Sequence, residues 1–274
     1  MTLDTGTGEL LATLDEGVAT LTLNRPAARN ALSDTLSPAL RRMFARLRDL
    51  PEARCVVITG AGTAFCAGGD VKGMGDAGRD DRPTRPQTRE AIVAELTERQ
   101  RALTGALHAL TQPTIAALPG AAAGAGFALA LACDLRIAAE SAFVTTGFAN
   151  VGLAGDYGAS WFLPRLVGQG MARELFFTAE RVDAARCLAL GIVNRVVPDE
   201  RLAEETRELA LRLAAGPSVA YRHMKANLDR GEREPLDAHL AHEAEATVAT
   251  AATEDHREAV RAFVEKRRPD FRGR

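Results

Sequence analysis

The stretch Leu118–Asp134, LPGAAAGAGFALALACD, constrains this chain more than any other. From Gly120 to Gly126 no side chain is larger than a methyl group. An apolar run, Thr114–Leu118, leads into it, and Phe127–Cys133 reads as an apolar helix ending at Asp134. Small residues let another segment or molecule approach the backbone closely. The start of a helix adds unpaired N–H groups and a partial positive charge. Two uses fit: tight packing of the helix on a sheet, or a resting place for developing negative charge. On this stretch alone, packing is the simpler account.

The rest of the chain supplies alternating strands and helices up to about residue 197. Leu10–Leu14 and Val18–Leu23 read as two strands joined through Asp15-Glu16-Gly17. Ser33 is placed to cap a helix whose apolar face is Leu36, Leu40, Met43, Phe44 and Leu47, with Pro38 tolerated in its first turn. Cys55–Thr59 is a continuous apolar run, as a buried parallel strand requires. Residues 73–87 are rich in Gly, Pro, Asp and Arg and read as a surface loop. Helix resumes over 88–110, and Leu135–Ala138 and Ile192–Val197 read as further strands. Short helices are expected over 157–167, 171–178 and 183–190. After Pro198 only helices follow, over 200–215, 218–229, 235–250 and 254–268, with Thr253 opening the last. An α/β core over 1–197 and a helical region over 198–274 are the two parts expected.

With 274 residues, 46% of them hydrophobic, the chain can bury a sizeable core. A formal charge of −2 argues against a dedicated nucleic-acid or membrane-surface protein. Cys55, Cys66, Cys133 and Cys187 are scattered among apolar and small residues, as buried thiols of a reducing compartment are. No apolar run approaches the roughly 18 residues of a membrane span, and no export signal is visible. A cytoplasmic protein is expected.

Several familiar sites are missing. Gly124-Ala125-Gly126 invites a dinucleotide reading, but Leu129 stands where a third glycine belongs, and no acid follows at about 20 residues. No phosphate-binding loop, zinc-protease motif or nucleophile elbow occurs. The histidines (His108, His223, His239, His242, His256) fall in expected helices without metal-ligand spacing, so no metal site is expected.

A second small-residue turn makes the charge-holding use more specific. Phe65–Lys72 reads FCAGGDVK, two glycines after an expected strand, with an acid and a base behind. Taken with 118–134, the two sites are expected to supply one backbone N–H each to a single oxygen, an arrangement typical where a thioester enolate is held. One such donor is worth roughly 3–4 kcal/mol in a transition state.

At this point the chain resembles the enoyl-CoA hydratase/isomerase (crotonase) family. The matching pieces are TLNRPAARNALS at 22–33, FCAGGDVK at 65–72 and LPGAAAGAGFALALACDLRIA at 118–138. VGLAGDYGASWFLPRLVG at 151–168, ALGIVNRVVP at 189–198 and a C-terminal AFVEKRRPDF follow in the family's order. The resemblance implies an α/β, crotonase-like spiral of ββα turns with an all-helical C-terminal trimerisation region. It also implies a homotrimer or a dimer of trimers, and an acyl-CoA substrate with no separate cofactor. The thioester oxygen would meet the N–H groups of Gly69 and Ala125. The coenzyme would lie along Ala67, Gly69, Asp70, Val71 and Lys72, with Ala28 near its nucleotide end. Phe263 and Lys266 fall where family members close over the coenzyme, often that of a neighbouring subunit; a solvated basic tail explains Lys266 equally well.

The chain departs from the hydratase pattern at two places. Hydratases of this family resemble one another in handling water with two glutamates, and the corresponding positions here are Ala128 and Phe148. Neither moves a proton. One acid remains nearby, Asp156 in GLAGDYG, at a place where relatives with isomerase or dehalogenase chemistry carry aspartate. A carboxyl in an apolar pocket has its pKa raised toward the range useful for proton shuttling. Capping the helix expected at Tyr157 is the plainer role for Asp156, and scaffolding the turn is the plainer role for Asp70. Phe148, Trp161 and residues 73–87 are expected to shape the acyl pocket. The resulting expectation is an enoyl-CoA double-bond isomerase, with a hydratase as the alternative. A nucleophilic Asp156 ranks below both, and a catalytically silent CoA- or RNA-binding relative is the reading from another class.

Overall fold

The structure is a computed structural model and describes residues 1–70 and 88–274. The expected loop at 73–87, and the candidate residues Val71 and Lys72, lie outside the described residues.

Strands β1 (Leu10–Asp15) and β2 (Val18–Leu23) pair antiparallel from Leu10↔Leu23 to Asp15↔Val18. Both residues of the connecting turn, Glu16 and Gly17, have positive φ, the conformation that matches the twist of a tight hairpin. Four more strands join in parallel: β3 (Cys55–Gly60), β5 (Thr114–Leu118), β7 (Leu135–Ala139) and β10 (Arg195–Val197). The sheet order is β1-β2-β3-β5-β7-β10.

A second sheet has the order β4-β6-β8-β9. It comprises β4 (Ala64–Cys66), β6 (Ala121–Ala123), β8 (Phe143–Thr145) and β9 (Val182–Asp183). Thus β3, β5 and β7 each turn a short corner into a strand of the other sheet, and a helix returns the chain. The spiral of ββα turns is present. Of this sheet only the strand leading into Gly68-Gly69 is expected from sequence, because strands of two or three residues carry no alternation to read. Ala121–Ala123 in particular looked like part of a featureless small-residue run.

Helix α1 (Leu36–Arg48) buries Leu36, Leu40, Met43, Phe44 and Leu47, the face its spacing predicts. Ser33 Oγ accepts from the Leu36 N–H at 2.9 Å, so the expected cap is made one turn before the helix proper. Helix α2 (Arg89–Gln100) continues through a wide π turn, Arg101–Gly105, into a last turn ending at His108. Helix α3 is Ala125–Leu131, beginning two residues earlier than expected. Helix α4 runs Ala159–Thr178 but is kinked at Gly168, which explains why it reads as two helices in sequence. Helix α5 is Ala184–Ala189, capped by Asp183, which accepts from the Arg186 N–H at 2.8 Å.

The remaining helices are α6 (Leu202–Ala214), α7 (Ser218–Gly231), α8 (Leu236–Ala251) and α9 (Glu254–Val264). Helix α6 lies against β3, β5 and β7. Residue 197 therefore marks the change from strands to helices without a break in packing. Helix α9 is shorter than expected: Lys266 has φ 53, a left-handed conformation that ends the helical run. Lys225 on α7 meets Asp134 at 2.8 Å, and Asp134 also accepts from the Thr114 N–H at 2.8 Å, so α7 is tied to the mouth of β5. All four cysteines are buried and free.

Candidate active site

The first turn is built on Asn30. Its side chain is fully buried, with Nδ2 donating to the Ala61 carbonyl at 2.9 Å and the Ala64 carbonyl at 2.8 Å. Its Oδ1 accepts from the Arg25 N–H at 2.8 Å. Arg25 in turn reaches the Ala31 carbonyl at 2.6 Å and pairs with Asp70 at 3.1 Å. Asp70 is thus engaged in holding its own loop. The short 3-10 turn Pro26–Ala28 sits alongside, since the Ala67 N–H donates to the Arg29 carbonyl at 3.0 Å. Ala28, Ala67, Gly69 and Asp70 are therefore brought together.

Gly69 forms an isolated parallel bridge with Leu32. The Leu32 N–H donates to the Gly68 carbonyl at 2.8 Å, and the Asp70 N–H to the Leu32 carbonyl at 3.3 Å. In extended backbone the groups of successive residues point opposite ways. Gly69 therefore presents its own N–H away from Leu32.

The second donor lies across a very close contact. After β6 the chain turns through Gly124, at φ 51 and ψ −124, into Ala125, the first residue of α3. The N–H of a first helical residue has no acceptor within the helix. A Cβ on Gly68 would fall 2.8 Å from the Ala123 oxygen and 3.5 Å from the Ala125 nitrogen. One on Gly126 would fall 2.3 Å from the Cys66 oxygen. The small residues let the two segments touch, and the contact at Gly68 and Ala125 lies one residue from Gly69. Helix α3 has only seven residues. Its dipole adds little, and the N–H groups themselves are what the site offers.

The wall beside these donors is apolar. Ala128 on α3, Phe148 and Ala159 are buried in one cluster with Tyr157 and Phe176 packed against it. A Cβ on Gly124 would lie 3.8 Å from the Phe148 ring, and one on Gly155 would lie 3.7 Å from it. The residue before Ala125 and the residue before Asp156 thus face the same phenyl ring. The turn before Ala125 and the loop before Asp156 therefore share the Phe148 ring as a packing surface.

Asp156 is half-buried, and burial pushes its carboxyl up from the ordinary aspartate range. Its Oδ1 is shielded from solvent with no hydrogen-bond partner among the described residues. The capping role expected from sequence is not what the structure shows. Helix α4 starts at Ala159, two residues later than the sequence suggests, with Gly158 at the cap position and no side-chain cap bond. Only the Asp156 main chain takes part, accepting from the Ala159 N–H at 3.1 Å.

Other expected residues fall elsewhere. Trp161 is not at the acyl wall: it packs edge-on to His108 and Phe162, with the Arg165 guanidinium 3.7 Å above its ring. Phe263, 85% exposed, and Lys266 stand at the end of α9, which packs on α8. Within one chain they are not brought to Gly69 or Ala125. Sequence reading missed Asn30, Arg25 and Phe176, whose roles come from distant segments meeting. Among the described residues no group of three or more His, Cys, Asp or Glu could hold a metal. Nor is any helix among them long and apolar enough to cross a membrane.

A sequence model of the enoyl-CoA hydratase/isomerase family matches residues 13–274. A "probable enoyl-CoA hydratase" of Rhodobacter capsulatus is 38% identical over 261 residues, covering 95% of this chain and 96% of that protein. The 1,2-epoxyphenylacetyl-CoA isomerase of Escherichia coli is 35% identical over 265 residues, covering 97% and 98%. The crystal structure of an enoyl-CoA hydratase from Bacillus anthracis superposes with a TM-score of 0.88 at 32% identity, covering 97% of this chain and all of that one.

Proposed function

Because this chain belongs to the enoyl-CoA hydratase/isomerase family, we propose that it moves the double bond of an enoyl-CoA between the 2 and 3 positions. The thioester oxygen is held by the Gly69 and Ala125 N–H groups, and Asp156 carries the proton. As the base takes a proton from the carbon next to the thioester, or from the far allylic carbon, the electron pair moves toward the thioester oxygen. The dienolate then accepts the same proton at the other carbon and the thioester reforms. Two donors aimed at the oxygen stabilise the intermediate without reorganising. One carboxylate suffices for such a transfer, provided its pKa stands near the working range.

The observation that carries this reading is the pairing of an apolar wall with a lone acid. Ala128 and Phe148 are fully enclosed in an apolar cluster, and neither position can position or activate water. Asp156, at the edge of that cluster, has a shielded oxygen without a partner among the described residues. A hydratase is the second reading, favoured by the name of the Rhodobacter relative. It requires water held by Asp156 alone.

The test is mass spectrometry of 2-enoyl- and 3-enoyl-CoA substrates incubated with the protein in heavy water. Deuterium incorporation with a moved double bond and no added water supports the isomerase. A water adduct of the 2-enoyl substrates replaces it with the hydratase. Binding of CoA without turnover of any substrate favours a silent relative.

Helices α8 and α9 leave Leu236, Leu240, Val248, Val260, Phe263 and Val264 exposed. Such a row suits the trimer, or dimer of trimers, that the family resemblance implies. The buried, unpaired cysteines suit a cytoplasmic setting.

A further inference from the structure

We infer that Gln100 is the positioning residue of the acid loop, holding Asp156 in place through the backbone of Tyr157. The inference rests on the reading of Asp156 as the proton carrier.

The Tyr157 N–H donates to Gln100 Oε1 at 3.0 Å, across 57 residues of sequence. An N–H only donates, so the amide of Gln100 must present its oxygen here. Among the described residues this is the one hydrogen bond that ties residues 154–157 to an element other than the helix they lead into. The loop needs such a tie. Gly155 has φ 107, Tyr157 φ 50 and Gly158 φ 80. The two glycines are permissive and do not select a conformation. A tyrosine in the left-handed region persists only where its surroundings over-determine it. The Asp156 carboxyl supplies no anchor of its own, since its Oδ1 has no partner among the described residues. Its aim is therefore set by the backbone, one residue away from the bond to Gln100.

Gln100 is itself well held. It is the last residue of α2, directly before the π turn Arg101–Gly105, in which Leu103 and Thr104 are buried. The Thr104 hydroxyl donates back to the Gln100 carbonyl at 3.3 Å. Single π turns are uncommon and recur at functional sites, because the extra residue re-aims the side chains around it. Here the wide turn follows the side chain that reaches the acid loop. Among the described residues, the charges that act on the Tyr157 hydroxyl are Asp156 itself, Arg41 on α1 and Arg99 on α2.

The experiment compares Gln100→Leu, Gln100→Glu and Asp156→Asn with the parent protein. Leucine keeps the bulk of glutamine and removes the acceptor, whereas glutamate keeps an acceptor. With an enoyl-CoA that the parent turns over, Gln100→Leu is expected to lower kcat at least about ten-fold while KM stays within about two-fold. Gln100→Glu is expected to restore most of kcat, with its pH–rate limb moved upward because a second carboxylate opposes ionisation of Asp156. Parent-like kcat in Gln100→Leu, kcat and KM failing together, or no rescue by glutamate would each overturn the inference.

A second measurement needs no substrate. In protein labelled with 13C at its aspartate carboxyls, the Asp156 resonance is assigned by its loss in Asp156→Asn. In Gln100→Leu its titration is expected to fall back toward the ordinary aspartate range, as the loop is released into water. An unchanged titration counts against the positioning role. Full turnover by Asp156→Asn, by contrast, removes the reading of Asp156 itself, whatever the Gln100 variants do.

Discussion

The Phe148 ring stacks on that of Phe176, centroids 6.0 Å apart and planes 17° from parallel. That contact puts two phenyl rings at the place where the family resemblance would put a hydratase's acid. The same ring faces Gly124, the residue before Ala125, and Gly155, the residue before Asp156. Phe148→Ala is expected to cost about 3 kcal/mol of stability, as truncations of buried phenyl rings do. Urea denaturation of the variant against the parent measures it, and a loss below about 1 kcal/mol would show that the cluster is not a packed wall.

Gly126 has no room for a methyl group. The Cβ of an alanine would fall 2.3 Å from the Cys66 oxygen and 2.7 Å from its Sγ, so β4 and α3 must part. Overpacking of this kind costs about 1–3 kcal/mol. Because the same displacement separates Gly69 from Ala125, turnover is expected to fall by more than the stability loss explains. Kinetics at a temperature where the variant remains folded, checked by circular dichroism, separates the two effects.

Removing the Asn30 side chain strands the Ala61 and Ala64 carbonyls and the Arg25 N–H. Asn30 also has φ 56, a conformation that asparagine tolerates better than alanine. Asn30→Ala is expected to lose about 3 kcal/mol in total. Thermal and denaturant melts would show it. An unchanged midpoint would mean that the turn carrying Gly69 is held by other contacts.

Burial raises the Asp156 pKa above its unfolded value, which fixes a sign. The folded state binds the proton more tightly than the unfolded state. Below the unfolded pKa both states are protonated, and burial of the charge costs nothing. As pH rises through the unfolded and then the folded pKa, stability falls and then levels. Asp156→Asn is therefore expected to melt above the parent near neutral pH, with the gap narrowing as pH is lowered toward 4. The same variant is expected to lose turnover while binding CoA as the parent does. Melting curves over a pH series and calorimetry with CoA check the two halves separately.

Phe263 is 85% exposed at the end of α9, in a row with Val260 and Val264. If this face meets another copy of the chain, Phe263→Asp is expected to shift the particle toward monomer. Light scattering after size exclusion reads the mass directly. A parent that is monomeric at all concentrations would remove the proposed trimer.

The sequence alone determined the elements whose signals are local. The face of α1 follows from spacing, the β1–β2 hairpin from its turn, and the α/β core with a helical end from the order of elements. The small-residue runs at 67–69 and 120–126 declared that something approaches closely there. Only tertiary structure decided what approaches. Strands β4, β6 and β8 are too short to show a period, yet they carry the turns at Gly68 and Gly124 into contact. Asn30 and Gln100 look like ordinary polar residues until the chain brings carbonyls and an N–H from elsewhere to meet them. The left-handed turn at Tyr157 moves the start of α4 to Ala159, and with it Asp156 Oδ1 from a capping place to one without a partner among the described residues. Backbone preference is written residue by residue, whereas the partner of a polar group and the depth of its burial arise only where distant segments pack together.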